Sequence, residues 1–347
     1  MSIASAVTER HRFDESRLAD YLAQHLPGFA GPLQVQQFQG GQSNPTYLLS
    51  TPTGRYVMRS KPGPVAKLLP SAHAIEREFR VMAALGAQGI PVPQMHVLVE
   101  DESVIGRAFF VMSHVAGRIF WDPALPGLEP AARAAIYDEM NRVLAALHSV
   151  DVVAAGLADF GKAGNYFERQ IGRWSRQYRA SETETLEAMD RLIDWLPAHV
   201  PPGDEIAVVH GDYRMDNLIF DPVEPRIIAI LDWELSTLGH PLADLSYHAM
   251  AWHIPPGGFR GIGGLDLAAL GIPSEADYVQ RYCARTGRGA IAHWNFYLAY
   301  NLFRIAAILQ GVYKRATEGL ASSDNALQTG RNVRALADLG WQYAQRA

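Results

Sequence analysis

Apolar residues recur at helical spacing in Leu18, Leu22 and Leu26, which predicts a short amphipathic helix over 15–26. The period then shortens. LQVQQF and YLLST within 33–51 read as strands flanking a Gly-Gly turn, and RYVMRS at 55–60 reads as a third strand. Helical spacing returns in LPSAHAIEREFRVMAALG, 69–86, with Ser71 as its N-cap. VLVEDE and RAFFVMSHVAG, within 97–117, complete a small antiparallel sheet. Beyond Gly117 the pattern is that of long helices, over 129–148, 166–180, 182–196, 275–285, 292–317 and 325–345. A strand–loop–strand between 208 and 234 interrupts them. Residues 1–13 are polar and expected to be loosely ordered. The pattern predicts an α+β chain with a β-rich lobe over 1–113 and a larger helical lobe over 114–347.

Composition narrows the class. The 347 residues are 48% hydrophobic and 19% charged, as in ordinary globular domains. A net charge of -5 makes no electrostatic case for nucleic acid. No apolar run approaches the roughly 18 residues that span a membrane, and MSIASAVTERHRF lacks the apolar stretch of a secretory signal. Cys283 is the single cysteine, which excludes an internal disulfide framework or a cysteine metal cluster. A soluble cytoplasmic protein is expected.

The chemistry is concentrated in VVHGDYRMDNLIFDP, 208–222, and IIAILDWE, 227–234. Asn217 lies five positions after Asp212, and Asp232 fifteen after Asn217, at the end of an apolar run. Protein-kinase-type phosphotransferases place a catalytic aspartate and two magnesium ligands at this spacing. Phosphoryl transfer needs a carboxylate to orient and deprotonate the attacking hydroxyl, and hard oxygen donors to hold magnesium on a triphosphate. The neighbouring polar residues have plainer readings. His210 reads as a loop-packing residue, Asp216 as surface-facing, and Asp244 as a cap or loop anchor. Glu234 is undecided, and His240, His248 and His253 take core or loop roles.

Upstream residues extend the pattern. QGGQSNPTY, 39–47, places glycines where backbone amides can approach phosphate, although an isolated glycine turn is commonly just a hairpin. Arg59 ends the apolar run Tyr56-Val57-Met58. Lys61 shares its strand face but precedes a proline, so Arg59 is the preferred cation. On the following helix Ile75, Phe79, Met82 and Leu85 form an apolar stripe that contains Glu78 and leaves Glu76 to solvent. An inward carboxylate is costly unless paired, which makes Glu78 the partner of Arg59 rather than of Arg80.

On these residues the chain resembles the aminoglycoside phosphotransferase/choline kinase-like family, of protein-kinase-like fold, from about Phe38 to Tyr247. The resemblance implies that Asp212 is the catalytic base, that Asn217 and Asp232 hold Mg2+, and that Arg59 and Glu78 position ATP. It also implies that Gly40, Gly41, Gln42, Ser43 and Asn44 lie over the phosphates. The segment from Met112 through His114 to Val115 would be the hinge whose backbone meets adenine. LAALHSVD, 144–151, is similar to the family's helix ending in a leucine–histidine pair. Arginine at 59 departs from the lysine of many members, replacing a point charge with a planar fork. FQGGQSNPTYLL, LLPSAHAIEREFRVMAAL and YNLFRIAAILQGVYKR are similar to the kinase-like domain fused ahead of acyl-CoA dehydrogenase domains. That resemblance implies a small-molecule acceptor, in particular a 4-hydroxyacyl-CoA. Arg304, Lys314 and Arg315 could meet such an acidic substrate, but a solvated helix face is the better reading.

Three readings compete with an ATP- and Mg2+-dependent small-molecule kinase. An aminoglycoside kinase would need an acidic cleft, and -5 does not decide that. A catalytically inactive kinase-fold binding protein would have little reason to keep Asp212, Asn217 and Asp232 together. A hydrolase using His210 and Asp212 would leave Asn217, Asp232 and the glycine turn without roles.

Overall fold

Ala4 and Ser5 of the polar N-terminal segment are built into the sheet rather than loosely ordered. Ala4–Ser5 forms β1, which pairs antiparallel with Gln34–Phe38, residue 4 facing 38. The reason lies in Gln37, a buried amide whose Oε1 accepts from the backbone N–H of Thr8 at 3.1 Å and from its hydroxyl at 3.0 Å. A buried amide that lacked these donors would be left unsatisfied, so the terminal segment is held in place. Next comes α1 (Glu15–His25), capped where Asp14 accepts from the backbone N–H of Arg17 at 3.0 Å. The sheet continues through β2 (Gln34–Phe38), β3 (Thr46–Thr51) and β4 (Gly54–Ser60). Helix α2 (Ile75–Ala87) precedes β5 (Met95–Val99) and β6 (Phe109–Ser113). All the pairings are antiparallel, in the order β1-β2-β3-β4-β6-β5. Leu18 and Leu22 of α1 join Tyr47, Leu49, Met58, Phe109 and Val111 in one buried cluster, which fixes which face of the strands is inward.

The computed structural model describes residues 4–38, 44–62, 74–319 and 326–347. Two units emerge from their contacts: Met1–Ile119 with Ala155–Phe160 and Asn217–Ser236, and Phe120–Ala154 with Gly161–Asp216 and Thr237–Ala347. The first therefore takes in 217–236, which lie well beyond residue 113. Gly40, Gly41, Gln42, Ser43 and the expected N-cap Ser71 lie outside the described residues.

The second unit opens with α3 (Pro130–His148), α4 (Tyr166–Ser181), α5 (Glu187–Ala198) and β7 (Ala207–Val209). The strands β8 (Leu218–Phe220) and β9 (Ile227–Ile230) belong to the first unit. In the second unit β10 (Thr237–Gly239) pairs antiparallel with β7. Then follow α6 (Pro241–Ala249), α7 (Leu267–Leu270), α8 (Glu275–Thr286), α9 (Trp294–Thr317), α10 (Ala326–Gly330) and α11 (Asn332–Ala344). Helix α9 is buried along most of its length, from Phe296 to Gly311, and packs against α4, α6 and α11.

Two expected helices are corrected. The 182–196 helix starts only at Glu187, because Gln310 Nε2 donates to Ser181 O and Thr183 Oγ1, both at 2.9 Å, and pins the connection. The 325–345 helix breaks at Arg331. There Gly330 packs so closely on Tyr313 that a Cβ would lie 2.3 Å from the ring. Helix α6 is absent from the sequence-based expectations. Pro241 opens it, and His240 Nδ1 caps it by accepting from Leu242 N at 3.3 Å. Among the described residues no helix is long and apolar enough to cross a membrane.

Candidate active site

In the first unit, four of the expected residues meet. Arg59 leaves β4 opposite Thr46 and Phe110, and its Nε lies 3.1 Å from Glu78 Oε2 of α2. Glu78 is 3% exposed, and its Oε1 accepts from Asn44 Nδ2 at 3.1 Å. The other arm of the guanidinium, Nη2, reaches Asp232 Oδ1 at 3.1 Å and Glu234 Oε2 at 3.0 Å. Glu234, undecided from sequence, therefore joins the cluster. Burial acts against the charged guanidinium, but Glu78, Asp232 and Glu234 outweigh it and hold its pKa above the usual arginine value. Burial raises Glu78 above the usual carboxylate value despite the attraction of Arg59. The planar fork explains arginine at this position, since its two ends serve carboxylates on different elements.

The hairpin β8–β9 aligns Asn217 and Asp232 at one end. Leu218 faces Ile230, and Leu231 N donates to Asn217 O at 2.8 Å, so the two residues leave the ladder together. Asp232 adopts a left-handed backbone, φ 67°, ψ 61°, tolerable for aspartate but uncommon outside glycine. Such strain concentrates where a side chain must be aimed. Its side chain is 33% exposed. An amide oxygen and a carboxylate are hard donors of the kind Mg2+ takes, one or two per ion alongside water and phosphate oxygens. The residues fit that ion. No group of three or more His, Cys, Asp or Glu side chains placed to hold a metal occurs among the described residues.

Met112 is buried on β6, opposite Val57, and His114 N donates to Arg55 O at 3.3 Å. Burial, and then the charge of Arg55, lower the His114 pKa below its usual value. Two other expectations about this unit change, and one rejected alternative ends. Lys61 pairs with Glu76, so neither is a lone solvated charge. Arg80 pairs with Asp159, not with Glu78. Val81 rather than Phe79 takes the buried place in the helix stripe.

In the second unit, Asp212 follows the buried loop residues His210 and Gly211. Gly211 has φ 81°, the left-handed region that favours glycine. Asp244 anchors this loop, as expected: its carboxylate accepts from His210 N at 2.5 Å and Gly211 N at 2.8 Å. Burial opposes the Asp244 charge, but His148, 3.4 Å away, leads the groups that outweigh it and hold the pKa below normal. His210 Nδ1 accepts from Asp212 N at 3.1 Å, a loop-packing role. The Asp212 carboxylate is gripped on both sides. Tyr247 O–H donates to Oδ1 at 2.5 Å, and Arg214 Nε lies 2.9 Å from Oδ2.

Asp216 and Arg304 depart from expectation. Asp216 is buried, with Arg260 at 2.8 Å and Arg214 at 3.7 Å, because a cation on each side offsets its desolvation. Arg304 is also buried, donating to Gly211 O at 2.5 Å and lying 5.2 Å from the Tyr247 ring centre. It is a structural cation, not a solvated one. Lys314 instead donates to Ala180 O at 2.9 Å.

Arg214 and Tyr247 also line a cleft of about 510 Å³ of empty space, its open mouth included. Trp121, Tyr137, Met250 and Ile254 supply apolar walls, and among the described residues Asp216 is the one carboxylate of the lining. Clefts with apolar walls and a few convergent polar groups are where small molecules commonly bind. Sequence reasoning placed no residue here. The available signal was the spacing Asp244–Tyr247–His248, which on a helix puts three chemically distinct groups within about one turn.

A fold with a six-stranded antiparallel sheet beside α2, and an HGD loop followed by a hairpin carrying Asn217 and Asp232, defines a kinase-like phosphotransferase. The chain belongs to the phosphotransferase enzyme family called APH, whose model matches residues 34–294. It is 59% identical to a Ralstonia eutropha JMP134 protein of aminoglycoside phosphotransferase type, with TM-score 0.89 over 97% of this chain and 99% of that one. It is 48% identical to mouse (Mus musculus) acyl-CoA dehydrogenase family member 10 over 94% of this chain, and 42% identical to human (Homo sapiens) member 11 over 98%. The chain spans 31% and 44% of those two relatives. A spectinomycin phosphotransferase in complex with ADP and spectinomycin shares the fold, TM-score 0.63 over 96% of this chain and 99% of that one, at 14% identity.

Proposed function

We propose that the protein transfers the γ-phosphate of ATP to the hydroxyl of a small molecule with an apolar body, a hydroxyacyl-CoA in the first instance. The observation that carries this reading is the engaged carboxylate of Asp212, held by Tyr247 and Arg214, two residues that line the cleft. In this reading the acceptor hydroxyl gives its proton to Asp212. Its oxygen then bonds to the γ-phosphorus as the bond to the β-phosphate oxygen breaks, releasing ADP. Asn217 and Asp232 would hold Mg2+, which when bound neutralises phosphate charge. Arg59, fixed by Glu78, adds positive charge beside Asp232. Asn44 bonds Glu78, which ties the end of the glycine turn to this pair.

The cleft and the relatives both favour an acyl acceptor. A polycationic aminoglycoside calls for several uncompensated carboxylates, whereas Asp216 already faces two arginines. Aromatic and aliphatic walls suit an acyl chain. Relatives bearing acyl-CoA dehydrogenase names agree with that choice. The test is Mg2+-dependent ATP consumption over a panel of 4-hydroxyacyl-CoAs, free hydroxy acids, choline and aminoglycosides, with Asp212→Asn as control. Turnover of a 4-hydroxyacyl-CoA that drops at least 100-fold in the variant supports the proposal. Turnover of an aminoglycoside alone overturns the acceptor assignment. No turnover and no ATP binding overturns the enzyme reading in favour of a binding protein.

A further inference from the structure

Helix α6 grips the HGD loop twice from one face. Asp244 takes the two backbone N–H groups of His210 and Gly211, and Tyr247, three residues on, takes Oδ1 of Asp212. Residues three apart on a helix are neighbours, so the loop backbone and the carboxylate it presents are referenced to one rigid element. Arg304 of α9 completes the frame, bonding Gly211 O and covering the Tyr247 ring.

We infer that Tyr247 is a positioning residue for phosphoryl transfer: its hydroxyl holds Oδ1 of Asp212 and leaves Oδ2, the oxygen beside Arg214, as the atom that meets the acceptor hydroxyl. This rests on the phosphotransfer reading above. Three observations support it. The phenol is buried, so its hydroxyl is held by the protein rather than by bulk water. Burial, and then the Asp212 carboxylate, push the Tyr247 pKa well above its ordinary value, so the group stays protonated and donates to the carboxylate. Arg214, the contact on Oδ2, has a second carboxylate, Asp216, 3.7 Å from its Nε. The hydroxyl can therefore take the place of Arg214 at Oδ2 without stranding a cation.

A plainer account is that the phenol merely fills space and satisfies its hydroxyl. The two accounts part on Tyr247→Phe, which keeps the ring under Arg304 and removes only the donor. Turnover is measured with ATP, Mg2+ and 4-hydroxypentanoyl-CoA, together with the KM of ATP and the melting temperature. A base that loses its orientation forfeits part of the roughly 10²–10⁴-fold that general base catalysis supplies. We expect kcat to fall about 10- to 100-fold, with the ATP KM within about twofold and the melting temperature within about 3 °C of wild type. A kcat within about twofold of wild type overturns the inference. So does a fall in kcat accompanied by an equal loss of ATP affinity or by early melting, which marks a structural residue. Wild-type protein inactive in the same assay counts against the phosphotransfer reading instead.

Discussion

Arg59→Met removes the cation from a group of three carboxylates, and the structure says where the cost falls. Glu78 is 3% exposed, and among the described residues its remaining neutral partner is Asn44 Nδ2 at 3.1 Å. Breaking a buried pair by deleting one member costs about 3–5 kcal/mol, because the survivor is charged, dry and uncompensated. The Asn44 hydrogen bond persists, so the lower end, about 3 kcal/mol, is expected at pH 8. The loss depends on pH in a definite sense. Burial already raises Glu78 above 4.5, and removing the attraction of Arg59 raises it further. The folded variant then takes a proton on Glu78 at a pH where the unfolded chain does not. Its deficit is smallest below the unfolded glutamate value and grows as pH rises through the folded one. Urea unfolding followed by tryptophan fluorescence at pH 5 and pH 8 measures both. Arg59→Lys should lose less, about 1–2 kcal/mol, because an ammonium keeps the charge but cannot present two arms. Arg59→Met/Glu78→Leu should recover at least half the loss, since no buried charge remains unpaired. A single-variant loss below about 1 kcal/mol at pH 8 refutes the reasoning, as does equal loss at both pH values or a double variant worse than the single.

The remaining predictions concern other parts of the chain. Burial lowers His248 from 6.5 to about 4, so the fold holds it neutral while the unfolded chain takes a proton. At about 1.4 kcal/mol per pH unit, stability should fall by about 3 kcal/mol as pH drops from 6.5 to 4, a slope that urea unfolding should find flattened in His248→Phe. At Gly117 a Cβ would lie 2.3 Å from Phe220 O and 2.5 Å from Ile219 Cγ2, next to the bridge between Arg118 and Phe220. Gly117→Ala should therefore cost about 2 kcal/mol in thermal unfolding. Asp216→Ala removes the carboxylate that Arg214 and Arg260 share on the cleft wall, and steady-state kinetics should show the acceptor KM up about tenfold with the ATP KM unchanged.

The parts of this molecule legible from its sequence are those where a local period or a fixed spacing carries the information. Leu18 and Leu22 repeat at the helical period and are fully buried, and β3 shows its inward face as Tyr47 and Leu49. The Arg59–Glu78 pair followed from a helix stripe and one energetic rule, that an inward carboxylate must be paired. Nothing local distinguishes 182–186 from helix, because the residue that pins it, Gln310, is more than 120 positions away. The N-terminal strand was hidden for the same reason: Ala4 and Ser5 look like a tail until Gln37 claims the donors of Thr8.

The misjudged site residues share one physical cause. Asp216 and Arg304 were read as solvated because charged side chains usually are, and the exceptions depend largely on distant partners, Arg260 for Asp216 and Gly211 for Arg304. Arg304 shows how far this goes. It is separated by 93 positions from Gly211, whose carbonyl it holds, yet it is as buried as the apolar residues beside it. A cation is tolerated there because it satisfies a carbonyl, two aromatic faces and the field of Asp212. Burial of that kind is expensive for ordinary stability, since an apolar side chain would fill the space at less cost. What it provides is direction: the loop ending in Asp212 is fixed by Arg304 and Asp244 through its backbone and by Tyr247 through its carboxylate. A folded chain has no general need to hold one loop carboxylate so firmly, but a base that must meet one proton in one geometry does.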